Sequence, residues 1–174
     1  QTILELSASD PNFDYRQVGI MDQEGIVGMH TGAECRNWAG HEIIKGAAIF
    51  GNVLASHKTI EAMVKTFEKS KGIEFGKRLI LTLEAGRNAG GQASSDGLHL
   101  PERSAVLSIQ TADIVQDIDL RVDFHNDAVT ELRRVYEGYS PYIEYYMRRA
   151  RDPENTPAQD AWVKEKLNDD DIQF

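Results

Sequence analysis

Two strand-like runs that meet at one short turn constrain this chain more than any other feature in it. Tyr15–Asp22 (YRQVGIMD) and Gly25–Thr31 (GIVGMHT) are joined through Asp22-Gln23-Glu24-Gly25. Strands linked so closely pair antiparallel, because a parallel crossover needs a dozen or more residues. Gly32–Gly40 reads as an irregular loop. His41–Leu54 is mostly apolar and reads as a third strand, buried on both faces. Ser56 is a natural N-cap. After it, Ile60, Met63, Val64 and Phe67 recur at helical spacing in a helix to about Lys71. A second helix is expected at Phe75–Arg87, and Asn88–Pro101 reads as a long Gly/Ser-rich surface loop. Strands are expected at Arg103–Ala112 and at Asp117–His125, where Ile118, Leu120, Val122 and Phe124 alternate with charged residues. Asn126 or Asp127 then caps a long helix that Pro141 kinks or restarts, ending near Ala150.

The resulting order, β-β-β-α-α-β-β-α, excludes a doubly wound fold, in which strands and helices alternate. It predicts an α+β protein and fits a four-layer αββα sandwich of antiparallel sheets with helices outside. Residues 1–151 are expected to form one domain. Residues 152–174 are expected to form a polar tail that wraps or extends, with a three-Asp run near its end. Gln1–Ser9 looks like the middle of an amphipathic helix and not a signal peptide. The expectation is therefore that the chain starts inside a longer gene product.

The net charge of −9 argues against nucleic-acid binding, since phosphates repel an acidic surface. No apolar run is long enough to span a bilayer. A single cysteine cannot form an internal disulfide. These features together lead to the expectation of a cytoplasmic protein.

Chemistry-bearing residues concentrate in His30–Asn52 (HTGAECRNWAGHEIIKGAAIFGN), which holds two of the five histidines and the only cysteine. Asn52, after Gly51 at a predicted strand end, is either a turn former or a donor toward a developing negative charge. His30 and Thr31 close a hairpin strand and either bind substrate or serve structure. His41 and Trp38 either line a pocket or pack in a loop. The spacing of His30, Cys35 and His41 matches no common zinc signature, so no metal site is expected. Cys35 as a nucleophile would need a base, which His30 or His41 could supply. Arg16 either pairs with an acid such as Asp14 or reaches a substrate carboxylate. The tyrosines from Tyr136 to Tyr146 read as core plus an interface for a second copy of the chain.

Seven motifs occur together in order: DYRQVGIMD (Asp14–Asp22), HTGAEC (His30–Cys35), WAGH (Trp38–His41), GNVLA (Gly51–Ala55), LEAGRNAGG (Leu83–Gly91), RSAVLSI (Arg103–Ile109) and DLRVDFHNDAVTELRR (Asp119–Arg134). In this the chain resembles an uncharacterised bacterial and archaeal domain-of-unknown-function family of the N-terminal-nucleophile (Ntn) hydrolase superfamily, from about Leu4 to about Trp162. The resemblance implies the αββα fold and hydrolysis of an amide (C–N) bond in a small or peptide-like substrate, with no cofactor. Some members are fused to a peptidoglycan-binding domain, which implies a link to the cell wall. The resemblance raises the functional reading of Asn52; the candidate catalytic residues are then Asn52, His30 and Thr31, and the candidate substrate-binding residues are Gly51, Arg16, Cys35, Trp38 and His41. Ntn hydrolases attack with the side chain of a first mature Ser, Thr or Cys, whose own amine is the base. Gln1 cannot do this, so the nucleophile is expected on an N-terminal segment outside this chain. The alternative is a binding or assembly protein that keeps the fold without the chemistry.

Overall fold

The computed structural model describes residues 1–36, 38–112 and 118–166. The chain divides into two compact units, residues 1–102 and 103–174. Among the described residues it is a mixed α and β protein with five helices and small antiparallel sheets.

The first unit opens with helix α1 (Thr2–Ser9) and a 3-10 turn at Phe13–Tyr15. Strands β1 (Gln17–Met21) and β2 (Val27–Thr31) then pair antiparallel, from Gln17 opposite Thr31 to Met21 opposite Val27. The turn between them forms for local reasons. The Asp22 carboxylate accepts the N–H groups of Glu24 and Ile26 at 3.0 and 2.8 Å, and Gly25 takes φ +79°.

The expected third strand is instead a hairpin. Strand β3 (Gly40–Ile44) turns at Lys45-Gly46, with Gly46 at φ +78°, into β4 (Ala47–Gly51). An apolar run has no period to betray a turn inside it. The expected burial on both faces is absent too, since Ile43 and Phe50 are about half exposed and only Ile49 is fully buried.

Beyond β3 and β4 the pairing slips by one residue. Gly40 lies opposite Gly51, but Trp38 exchanges both main-chain hydrogen bonds with Leu54, at 2.9 and 3.0 Å. Asn52 and Val53 together therefore face Ala39, which is a β-bulge. Val53 takes φ +57°, where a β-branched residue is strained. Val53→Gly is accordingly expected to be more stable than Val53→Ala by about 1 kcal/mol, because both remove the side chain and only glycine is at ease there. Urea denaturation of the two variants checks this; alanine equal to or above glycine would refute it.

Ser56 caps helix α2 (His57–Lys69) as expected, its hydroxyl accepting the Lys58 N–H. The Glu74 carboxylate does the same for α3 (Phe75–Asn88), accepting the N–H groups of Gly76 and Lys77. The two helices approach closely at Gly86, where a Cβ would fall 2.7 Å from the Met63 sulfur. Ile49, Ile60 and Phe67 form a buried cluster, with Trp38, Leu54 and Met63 packed against it. The expected long loop after α3 holds a small hairpin, β5 (Gln92–Ala93) and β6 (His99–Leu100). Its turn spans residues 94–97, with Gly97 at φ +82°.

In the second unit, β7 (Ala105–Ile109) pairs antiparallel with β8 (Ile118–Val122). Ala105, Leu107 and Ile109 are buried and alternate with exposed Val106 and Ser108. Helix α4 (Ala128–Arg151) starts at an Asp127 cap and runs through Pro141 without restarting. Tyr136 and Tyr145 are buried, whereas Tyr139 and Tyr146 are exposed. The polar segment after α4 carries helix α5 (Gln159–Lys166), whose buried Trp162 meets the Tyr145 ring at 5.8 Å. The three-Asp run and the expected strand start at Asp117 lie outside the described residues. Among the described residues no helix is long and apolar enough to cross a membrane.

Candidate functional site

Adjacent residues on a strand point to opposite faces, and this separates His30 from Thr31. The His30 ring stacks on Phe13 with centroids 4.1 Å apart, and its Nε2 lies 3.1 Å from the Phe13 carbonyl. Both contacts tie the His30 ring to the 3-10 turn before β1. Thr31, opposite Gln17 in the β1–β2 register, faces the other way into a polar network.

Gln17 is the hub of that network. Its amide nitrogen donates to Thr31 Oγ1 at 3.1 Å and to the carbonyl oxygens of Gly40 and Gly51 at 3.1 and 2.9 Å. Two hydrogens thus serve three acceptors. Its Oε1 accepts from the Asn52 amide at 3.2 Å. Gly40 and Gly51 are the pair that closes the open end of the β3–β4 hairpin, so one side chain ties that hairpin to the first.

Thr31 Oγ1 lies 2.8 Å from His41 Nδ1. The Gln17 nitrogen can only donate, so it occupies a lone pair of Thr31. The arrangement that uses every donor has the Thr31 hydroxyl donating to His41 Nδ1, which places the neutral imidazole proton on Nε2. This pair opens onto a cavity of about 500 Å³ whose walls include Cys35, Trp38, His57 and Glu61. His57 Nε2 is 3.8 Å from the Glu61 carboxylate, and the Trp38 and His57 rings meet edge to face at 6.3 Å. Trp38 lies over Gly40 so closely that any Cβ there would overlap its ring.

Of the residues singled out in the sequence, Thr31, Cys35, Trp38 and His41 line this one cavity. Gly51 and Asn52 connect to it through Gln17. His30 and Arg16 are placed elsewhere. The Arg16 guanidinium sits 2.9 Å from Asp10, and this hydrogen bond holds the Asp10 carboxyl below its ordinary range. The sequence reading misses Gln17 and His57. Gln17 is hidden by register: counting outward from the expected turn at Asp22–Gly25 sets it across from His30, whereas the observed pairing of Met21 with Val27 sets it across from Thr31. His57, one residue after a helix cap, has no signal. Among the described residues, no three His, Cys, Asp or Glu side chains converge as metal ligands.

A sequence model described as a family of unknown function (DUF1028) matches residues 1–132. Among solved structures, the chain is similar to a crystal structure of a protein from Silicibacter pomeroyi assigned to that same family model, with a TM-score of 0.66 and 24% identity. The match covers 79% of this chain and 58% of that one, so this chain spans under two thirds of its relative. At that identity the likeness concerns the fold. No curated protein matches the sequence.

Proposed function

We propose, on the footing that this chain belongs to DUF1028, a family of unknown function, that it is an amidohydrolase acting on a small or peptide-like amide in the cavity beside Thr31 and His41. The observation that carries the reading is the 2.8 Å contact between Thr31 Oγ1 and His41 Nδ1 on the cavity wall. A hydroxyl bonded to an imidazole is the arrangement that moves a proton between a reacting group and a base. Amide hydrolysis needs such transfer twice, once as the nucleophile attacks and once as the amine leaves. Trp38 supplies an apolar wall for the substrate. The Ntn relationship and the four-layer αββα arrangement belong to this same reading. In that form the attacking group is an N-terminal Ser, Thr or Cys whose own amine takes its proton, and the Thr31–His41 pair supplies the proton that the leaving amine needs.

The test is hydrolysis of a panel of small amides and acylated amino acids by the full-length gene product, followed by variants. Thr31→Val and His41→Ala are each expected to lower kcat/KM by about a hundredfold, the usual worth of a positioned acid or base. Thr31→Ser should keep most activity. An electrophilic probe then identifies the attacking residue. No turnover of any amide, or full activity in both variants, would end the proposal.

One observation favours a second reading. The network satisfies itself: Gln17 commits its amide to Thr31, Gly40, Gly51 and Asn52. A non-catalytic binding protein would hold the cavity in shape in this way, and it would show saturable ligand binding with neither turnover nor covalent labelling. Either protein offers Tyr139 and Tyr146 on α4 as the proposed contact for a second copy of the chain.

A further inference from the structure

Trp38 lines two cavities. The second, of about 890 Å³, is lined by Arg36, Trp38, Val53, Ser94, Ser95 and Leu100 among others. Main-chain hydrogen bonds tie its walls together. Val53 donates to the Arg36 carbonyl at 3.1 Å and accepts from the Ala93 N–H at 2.9 Å, while Ala55 donates to Gly91 at 2.9 Å. These bonds fix Arg36 on one side of the bulged segment and the turn of residues 94–97 on the other. The strained Val53 lies between them, and such strain persists only where the surroundings hold it.

The charge in this cavity is one-sided. Arg36 is the only charged side chain on its described walls. Of the four arginines in residues 1–102, Arg16, Arg78 and Arg87 have acceptors in Asp10, the Phe67 carbonyl and Asn88. Arg36 has none among the described residues. The acid nearest in sequence on the facing turn, Asp96, is bonded instead by the Ser94 hydroxyl. A guanidinium without a partner among the described residues, on the wall of a cavity that also carries serine hydroxyls, is matched to a carboxylate, which it binds through two parallel N–H groups.

We propose that the second cavity binds a carboxylate, with Arg36 as its counter-ion and the Ser95 hydroxyl as a further donor, and that the ligand is an N-acylated amino acid. The choice of an N-acylated amino acid rests on the function proposed above; the carboxylate site does not.

The experiment is calorimetric titration of the protein with N-acetylglycine and, separately, with its neutral amide. The acid is expected to bind about tenfold tighter, the usual worth of a charged hydrogen-bonded contact. Arg36→Gln should erase that preference with no change in Tm, since the side chain is exposed and unpaired, and Arg36→Lys should keep part of it. Equal binding of the two ligands, a preference that survives Arg36→Gln, or no binding of either at high millimolar concentration would each overturn the assignment. Tight binding of the acid without hydrolysis would count against the amidohydrolase and leave the carboxylate site standing.

Discussion

Gly32→Ala is expected to destabilise the first unit by about 3 kcal/mol, at the upper end of what an inserted methyl does in a packed site. Gly32 is buried, and a Cβ built on it would overlap the carbonyl group and Cα of Asp14. Those are main-chain atoms, so no rotamer change relieves the clash. The segment is also pinned from both ends, because Gly32 donates to the Arg16 carbonyl at 2.9 Å and Glu34 donates to that of Asp14 at 2.9 Å. Making room for one methyl means breaking at least one of these bonds. Gly86→Ala is the useful control. Its new methyl meets the flexible end of Met63 and should be tolerated far better. Chemical denaturation of both variants settles the point, and a Gly32→Ala midpoint equal to that of Gly86→Ala would show that the Asp14 segment yields freely.

The second large effect is expected at Gln17. Gln17→Leu keeps the bulk but leaves two carbonyl oxygens, the Thr31 hydroxyl and the Asn52 amide without their common partner, a loss of about 2–3 kcal/mol. Gln17→Glu is a sharper probe because the shape is unchanged. It sets an acceptor against the carbonyls of Gly40 and Gly51 where a donor stood. A protonated Glu could still donate to one of them, so the folded protein would favour the neutral acid and raise its pKa. A raised folded pKa means that the stability is retained below the ordinary glutamate range and lost as pH rises through the folded value. The variant should therefore approach the parent at acid pH and fall behind it near neutrality. A difference from the parent that does not change with pH would show that Gln17 does not serve as the donor described here.

How far the sequence leads depends on how local each signal is. The first hairpin is legible because Asp22 and Gly25 are turn chemistry between patterned strands. The hairpin at Lys45-Gly46 is hidden because Ile43, Ile44, Ala47, Ala48 and Ile49 run together without a period, and a single lysine reads as an interruption. The cap at Ser56 and the apolar stripe of α2 announce themselves. The extent of the helix across Pro141 is legible too, but whether the proline kinks or restarts it is not, since packing decides that and packing is invisible in one dimension. Thr31 and His41 each stand out in the sequence but not as a pair, because nothing sequential says that residues ten apart in different hairpins come within 2.8 Å. His30 groups with Thr31 as its chain neighbour, although strand alternation sends the two apart. Gln17, the residue that joins the parts, looks like an ordinary polar residue at the start of a strand.

The slipped register at Asn52-Val53 has a consequence for how this chain can change length. Everything after it is one step out of phase with the ladder before it, and that phase sets Leu54 against the buried cluster and aligns Ala55 with Gly91. Loss of a single residue at the bulge would restore a regular ladder and turn Leu54 away from the position it now holds. Extra residues in the turn between β5 and β6 would disturb no such phase. Length variation should therefore be forbidden at one wall of the Arg36 cavity and free at the other, so the cavity can be reshaped from the serine side while its arginine side stays in frame.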